Sequence, residues 1–265
     1  MRRNAVLVLA LGAVLTLAVA VAASARFDVF QAGNVVLRAD GGVEPRALPK
    51  KRFAPVAVNI RGRIASKDGT HPAAFREATI DFDRNGKIQP RGLPACRGGQ
   101  LEARNTKAAK RVCGRSIVGK GSGNIQVSFA EQRPIPIKAP ITVFNGGTRG
   151  NRTTLYIHTY ITVPVPASVV TTVQIRKVRK GRYGLRTVSR VPQIAGGSGS
   201  VLSFNIRFKR NFAFRGQRRS YFVARCPDGR FQARVIRALF RNEAGGARTT
   251  TNLSGTVIRP CRPKG

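Results

Sequence analysis

Residues 154–163, TLYIHTYITV, alternate between two kinds of side chain with a period of two. Leu155, Ile157 and Ile161 would lie on one face of an extended chain, whereas Tyr156 and His158 would lie on the opposite face. Strict alternation of this kind predicts a β-strand with one face on an apolar core and the other in water. The stretch therefore indicates a half-buried sheet on which His158 is a surface side chain.

The same pattern recurs along most of the chain. Further alternating runs lie at residues 56–65, 124–129, 201–210 and 230–240. Turn-forming pairs separate them, namely Asn85-Gly86, Asn145-Gly146, Lys180-Gly181 and Asp228-Gly229. About ten to twelve short strands with such turns predict an all-β fold, an antiparallel β-sandwich of the jelly-roll type. A helical pattern is confined to residues 101–113, where Asn105 or Thr106 can serve as the N-cap.

The first 25 residues have the layout of a secretory signal. Arg2 and Arg3 precede an uncharged apolar run over residues 5–23, and Ala23-Ser24-Ala25 offers a signal-peptidase site. The run is close to the roughly 20 residues that span a bilayer, so an uncleaved anchor helix is the alternative. In both cases the remainder is predicted to be extracytoplasmic, either secreted or anchored to the membrane.

The rest of the chain divides by composition. Residues 26–54 are rich in proline, glycine and charge and lack apolar periodicity. We expect them to form an extended, partly disordered lead-in. Residues 55–265 would then form the β-rich domain, and a domain of this size can bury about 70% of its unfolded surface.

Four cysteines in an exported chain predict two disulfide bonds. Three pairings are open, and the local one, Cys96–Cys113 with Cys226–Cys261, is favoured because each half of the chain then closes its own loop. Metal ligation would need closely spaced pairs of cysteine or histidine, and His71 and His158 stand alone. We therefore expect no metal site built on these residues.

Two stretches come close to cofactor motifs. Gly114 to Gly121, GRSIVGKG, departs from a phosphate-binding loop because Gly121 replaces the final Ser or Thr, and because a strand follows it instead of a helix. Asp81, Asp83 and Asn85 match the first positions of a calcium loop, but Gly92 stands where the bidentate glutamate should be. The first stretch is interpreted as a flexible turn and the second as a hairpin, so neither a nucleotide nor another cofactor is predicted.

Catalytic patterns are equally weak. Asp81 and Asp83 share a strand face at a spacing that suits paired glycosidase carboxylates. We expect them on the outer face of the hairpin, with pKa values lowered by surrounding arginines, whereas a general acid needs a raised one. An enzyme would be indicated if Asp81, Asp83, His158 and Asp228 met in one cleft.

Several blocks together resemble a group of exported proteins from high-GC actinobacteria. They are GLPAC at 92–96, CGRSIVGKG at 113–121, FNGG at 144–147 and YFVARCPDG at 221–229, in an order that spans roughly residues 50–262. The group has no characterised activity, so the resemblance implies no catalytic residues. It implies an exported, all-β protein with a disulfide between Cys96 and Cys113.

Charge is the strongest remaining signal. Lysine and arginine total 48 against 11 acidic residues, a net charge of +37. A field of this size attracts polyanions. The basic clusters lack the interleaved aromatic residues of a base-stacking platform, so specific nucleic-acid recognition is not predicted. The candidate polyanion-binding residues are Arg176, Lys177, Arg179, Lys180, Arg182, Arg215, Arg218 and Arg219.

Two hypotheses about function follow. The first is an exported, non-enzymatic β-protein of the cell envelope or extracellular space that binds an anionic envelope polymer or lipid surface through its basic residues. The alternative is an extracellular hydrolase that acts on an anionic polymer.

Overall fold

The structure, a computed structural model, describes residues 27–242 and 249–265, so the predicted signal or anchor at residues 1–25 lies outside it. The described residues form one α-helix, α1 (Thr106–Cys113), and nineteen strands. The strands are β1 (Asp28–Ala32), β2 (Val35–Glu44), β3 (Ala47–Pro49), β4 (Ala54–Pro55), β5 (Ala57–Ser66), β6 (Ala74–Asp83), β7 (Gly86–Ile88), β8 (Ile117–Val127), β9 (Ile135–Arg149), β10 (Arg152–Ile161), β11 (Ala167–Lys180), β12 (Tyr183–Arg190), β13 (Gly199–Phe208), β14 (Asn211–Phe214), β15 (Gln217–Ser220), β16 (Phe222–Ala224), β17 (Arg230–Arg241), β18 (Thr250–Pro260) and β19 (Arg262–Lys264).

Twelve of the described strands form a single antiparallel sheet in the order β1-β2-β5-β13-β8-β9-β10-β11-β12-β6-β17-β18. The sheet curls until its two edges meet, because Val35 and Leu37 of β2 pack in one cluster with Phe240 of β17 and Leu253 of β18. The predicted all-β antiparallel fold with a short helix is confirmed. The two layers of the expected sandwich are the facing walls of this one curled sheet.

Side chains close the seam between the two edges. Among the described strands, β1 pairs only with β2 and β18 only with β17, so no backbone ladder joins the edges. Arg259 on β18 spans the gap, with Nη1 2.7 Å from Asp28 Oδ2 and Nε 2.8 Å from Asp40 Oδ1. Asp40 is also held by Arg61, at 2.6 Å. The seam therefore depends on an ion-pair network centred on Arg259 and Asp40.

The interior of the curled sheet is apolar. Inward-facing residues of neighbouring strands, among them Val143, Leu155, Val173 and Ile206, form its largest buried cluster. The small sheet β4-β16-β7 covers one end of the interior. A cavity of about 390 Å³ remains between the walls and this cap.

The predicted lead-in at residues 26–54 is wrong. β1 and β2 lie within this range, and β2 pairs with β5 over its whole length. β3 follows, pairing in parallel with β19 and burying Leu48 completely. The alternation of apolar side chains in β2 stops at Gly41-Gly42, because glycine has no side chain. The backbone pairing of β2 with β5 nevertheless continues through both residues. Residues 28–49 are therefore part of the β-rich domain.

The helix lies on the outside of the sheet. Its N-cap is Asn105, whose side chain accepts a hydrogen bond from the Ala108 backbone N–H at 2.9 Å, as one of the two predicted caps. A disulfide from Cys96 to Cys113 ties the helix to the preceding loop, and the cluster that includes Leu101 and Ala109 buries Phe144 of β9. One patch of the outer face of the sheet is thereby covered.

Both disulfides of the favoured local pairing are confirmed. Cys96 pairs with Cys113 and Cys226 with Cys261, with Cα separations of 5.5 and 6.1 Å. The second bond joins the loop after β16 to the end of β18 and lies in the cluster with Leu48 and Val56. Disulfides are typical of extracytoplasmic proteins, which agrees with the predicted compartment.

Removing the disulfides should destabilise the fold by amounts set by loop length. The loops span 17 and 35 residues, so the chain-entropy relation predicts losses of about 3 kcal/mol for Cys96→Ser/Cys113→Ser and about 4 kcal/mol for Cys226→Ser/Cys261→Ser. Urea unfolding of each double variant measures these losses. A smaller effect for the longer loop would contradict the expectation.

Arg259→Met should open the seam and lower the free energy of unfolding by about 3 kcal/mol, because Asp28 loses its arginine partner and buried Asp40 keeps only Arg61. Arg38→Met is the matched control, since Arg38 is an exposed arginine two positions before Asp40 on β2. We expect the control to change stability by less than about 0.5 kcal/mol. Equal effects of the two substitutions in urea unfolding would show that the seam does not rest on Arg259.

Candidate functional site

A row of charged residues crosses six neighbouring strands of the sheet. Each residue of the row lies directly opposite the next one on the neighbouring strand, and we call the set the arginine row. Its members are Arg149 on β9, Arg152 on β10, Arg176 on β11, Arg186 on β12, Asp81 on β6 and Arg234 on β17. The row is on the outer face, since sequence neighbours such as Ile175 and Leu185 line the interior cavity. Five arginines are thus aligned with a single acidic residue.

Asp81 neutralises one half of the row. Its two oxygens accept hydrogen bonds from Arg186 at 2.7 and 2.9 Å, and Arg234 donates a third at 3.2 Å. Burial beneath the two guanidinium groups acts to raise the pKa of the Asp81 carboxyl, but their hydrogen bonds and charges outweigh it and hold that pKa below its ordinary value. The pKa of Asp81 is lowered and Asp81 lies on the outer face of the sheet, both as predicted, but the arginine side chains over it leave it fully buried.

The other half of the row carries uncompensated charge. Arg149, Arg152 and Arg176 are exposed, and no ion pair joins any of them to a carboxylate among the described residues. Directly opposite Cβ atoms in an antiparallel pair are about 4.5–5.5 Å apart, and like charges in that position destabilise the sheet. An anion that bridges these guanidinium groups would relieve the repulsion.

The predicted cluster at residues 176–182 is divided by the structure. Arg176, Lys177, Arg179 and Lys180 are exposed at the end of β11, next to the arginine row. The prediction for Arg182 is corrected, because Arg182 is ion-paired with two carboxylates of the chain itself. Its Nε lies 2.9 Å from Asp83, and its Nη1 pairs with Asp228. The turn after β11 directs Arg182 towards the ends of β6 and β17, which the sequence around it does not show.

The second predicted cluster lies at the same end of the sheet. Arg215, Arg218 and Arg219 belong to the hairpin β14–β15, which follows the end of β13, and β9, β11 and β13 all finish at this end. Arg215 and Arg219 stack against Phe214, 5.4 and 5.1 Å from its ring centre. We call this surface the basic end. It comprises the exposed half of the arginine row, the exposed residues of 176–180 and the hairpin β14–β15.

The side chains of the calcium-loop candidates Asp83 and Asn85 are already bonded to residues far away in the chain. Asp83 accepts hydrogen bonds from the backbone of Asn85 and Gln232 in addition to its ion pair with Arg182. Asn85 is buried and accepts from Arg225 Nε at 3.0 Å. The predicted hairpin here is wrong, because β7 pairs with β16 and not with β6. Within the described residues no group of His, Cys, Asp or Glu is arranged to hold a metal ion.

His158 is buried, so its prediction as a surface residue is wrong. The loop before α1 lies over it, and Nε2 donates to the Arg104 carbonyl at 2.9 Å, while Phe144 packs against the ring with centroids 6.4 Å apart. Burial lowers the pKa of His158. Along β10 it lies about 20 Å from Arg152, which is on the row of Asp81. The grouping of Asp81, Asp83, Asp228 and His158 in one cleft is therefore not formed.

The glycines of the former phosphate-loop candidate belong to a strand. Gly119, Gly121 and Gly123 lie within β8, opposite β13, which corrects the expected flexible turn. A Cβ on Gly121 would collide with the backbone of Asn205 and Ile206. These glycines permit the close approach of β8 and β13.

Comparisons with family models, with curated proteins and with solved structures found no match. No helix within residues 27–242 and 249–265 has the length and apolar character needed to cross a membrane.

Asp81→Asn should remove the central charge of the arginine row and lower the free energy of unfolding at neutral pH by about 2 kcal/mol. Because the folded-state pKa of Asp81 is lowered, the wild-type advantage is complete above the unfolded pKa of about 3.9. It is lost progressively as the pH falls from there through the lower folded-state pKa. Urea unfolding at pH 7 and pH 3 measures the difference. Glu102→Gln, at an exposed carboxyl, is the control and should show little effect at either pH; a difference between wild type and Asp81→Asn that is as large at pH 3 as at pH 7 would contradict the ion-pair explanation.

Proposed function

We propose that this protein is an exported, non-enzymatic protein of the cell envelope or extracellular space that binds a linear anionic polymer at its basic end. The observation that carries the proposal is the cross-strand alignment of Arg149, Arg152 and Arg176 without a carboxylate partner in the described chain. Three guanidinium groups spaced by one strand each, about 4.8 Å, suit a chain of closely spaced phosphate or carboxylate groups.

The distribution of acidic residues supports this. Seven of the 11 acidic residues are ion-paired to arginine in the structure: Asp28, Asp40, Glu44, Glu77, Asp81, Asp83 and Asp228. Three of them are each shared by two arginines, as Asp81 is by Arg186 and Arg234. The scarce carboxylates are thus engaged within the fold, and the excess positive charge is left for a partner outside it.

The compartment supports an envelope polymer as the partner. The disulfides and the predicted signal support a location outside the cytoplasm, where acidic wall polymers and anionic lipid heads are present and nucleotides are scarce. An extended polymer suits a linear row better than a flat lipid surface does. The alternative hydrolase would need a group of free carboxylates, and Asp81, Asp83 and Asp228 are all bound to arginines.

The test is binding of a glycerol-phosphate polymer by the purified protein at several salt concentrations. Changing Arg149, Arg152 and Arg176 together to Gln should weaken binding at least tenfold at low salt. It should also reduce the slope of log affinity against log salt by about two to three, since each phosphate contact contributes about 0.7–0.9 on nucleic acids.

The matched control changes Arg38, Lys67 and Arg241 to Gln, because these exposed residues carry the same total charge and lie towards the opposite end of the sheet. An equal loss in the control would show that net charge alone determines binding. Tighter binding to anionic vesicles than to the polymer would assign the basic end to a lipid surface. No retention of wild type at low salt would overturn the proposal.

A further inference from the structure

The interior cavity is a second candidate site, lined by residues other than those of the basic end. Its lining surface is mostly apolar and comes from both walls of the curled sheet and from the cap, with Phe75, Ile141, Leu155, Val173, Phe204 and Phe222 as examples. Polar and charged residues, among them Asp83, Gln232 and Arg259, also contribute to it. Apolar cavities of this kind stay dry and take up apolar ligands. A curled antiparallel sheet is also an arrangement that can enclose one small ligand.

The volume sets the size of the ligand. The cavity measures about 390 Å³, which lies within the usual range of ligand pockets. An engineered cavity of about 150 Å³ is filled by benzene, with its six carbon atoms, so this one has room for about fifteen carbon atoms at the same density. That is the size of a single long acyl chain.

The mouth of the cavity is positively charged. The cavity is partly open to solvent, and Lys87 is an exposed residue of its lining. Its Nζ lies 4.0 Å from the ring centre of Phe53, and the guanidinium of Arg225 lies 5.1 Å from the same centre. Asp83, the carboxylate in the described lining, is already ion-paired with Arg182. Two cations with no carboxylate between them favour an anionic head group.

We propose that the cavity binds a single-chain fatty acid, with the acyl chain among the apolar walls and the carboxylate beside Lys87 and Arg225. The lysine stem would cover the first methylene groups while its ammonium stays in water. The chain supplies the apolar contacts that the empty cavity lacks, and the head group is paired at the surface. This inference is independent of the polymer-binding proposal, because it uses a different set of residues.

The experiment is calorimetric titration of the purified protein with tetradecanoate, below its critical micelle concentration, and with octanoate and tetradecanol for comparison. We expect one tetradecanoate per chain, at least tenfold weaker binding of octanoate, and persistence of tetradecanoate binding in 1 M salt. The triple Gln variant of Arg149, Arg152 and Arg176 should bind tetradecanoate as the wild type does, which separates this site from the basic end.

Two sets of variants locate the ligand. Thr171→Phe and Ala233→Phe place a ring in the cavity, so each should reduce tetradecanoate binding at least tenfold while the melting temperature is unchanged or raised. If either variant fails to fold, the other answers the same question. Lys87→Gln should weaken tetradecanoate several-fold and leave tetradecanol unchanged, and Lys67→Gln, at an exposed lysine away from the mouth, is its control.

Several results would overturn the proposal. Absence of tetradecanoate binding would show that the cavity takes no acyl chain. Full binding by folded Thr171→Phe and Ala233→Phe would place the ligand on the surface. Equal effects of Lys87→Gln on the acid and the alcohol would remove the assigned role of the head group.

Discussion

The fold depends on how a twelve-stranded sheet closes without a backbone ladder at its seam. Unpaired edge strands expose hydrogen-bonding groups and invite aggregation, so a sheet of this size must cover or join them. Here Arg259 reaches from β18 to Asp28 on β1 and Asp40 on β2, and the ring of Phe30 packs against Gly255 where no side chain intervenes. With the seam closed, the sheet has an interior, and both the cavity and the outward arginine row follow from that closure.

Shortage of acidic residues explains the electrostatics of the molecule better than abundance of basic ones. Each structurally important carboxylate is surrounded by arginines, as Asp40 is by Arg61 and Arg259. Such a carboxylate is stabilised in its charged form and is poorly suited to proton transfer at neutral pH. Some arginines, above all Arg149 and Arg152, have no carboxylate partner among the described residues. These arginines supply the accessible positive charge.

The sequence predictions succeeded where the signal is local. Alternation identified the strands of the β-rich domain, and Asn105 was one of two caps proposed for the helix. They failed where a distant segment changes the environment of a residue. His158 lies on the predicted polar face, but the loop at Arg104 covers it. Residues 28–44 carry a weak side-chain pattern, yet β2 is held by its ladder with β5, and a ladder leaves no mark on the sequence.

By itself, the sequence determined the all-β class, the surplus of positive charge and the preference for local disulfides, because alternation, composition and cysteine spacing are properties of short segments. Only the tertiary structure decided which arginines stay accessible. Arg176 is aligned with Arg152 through strand register, whereas Arg182, six positions later, is drawn into ion pairs with Asp83 and Asp228. The cavity likewise exists only in the closed sheet. Register and curvature arise from contacts between residues far apart in the chain, and no local pattern encodes them.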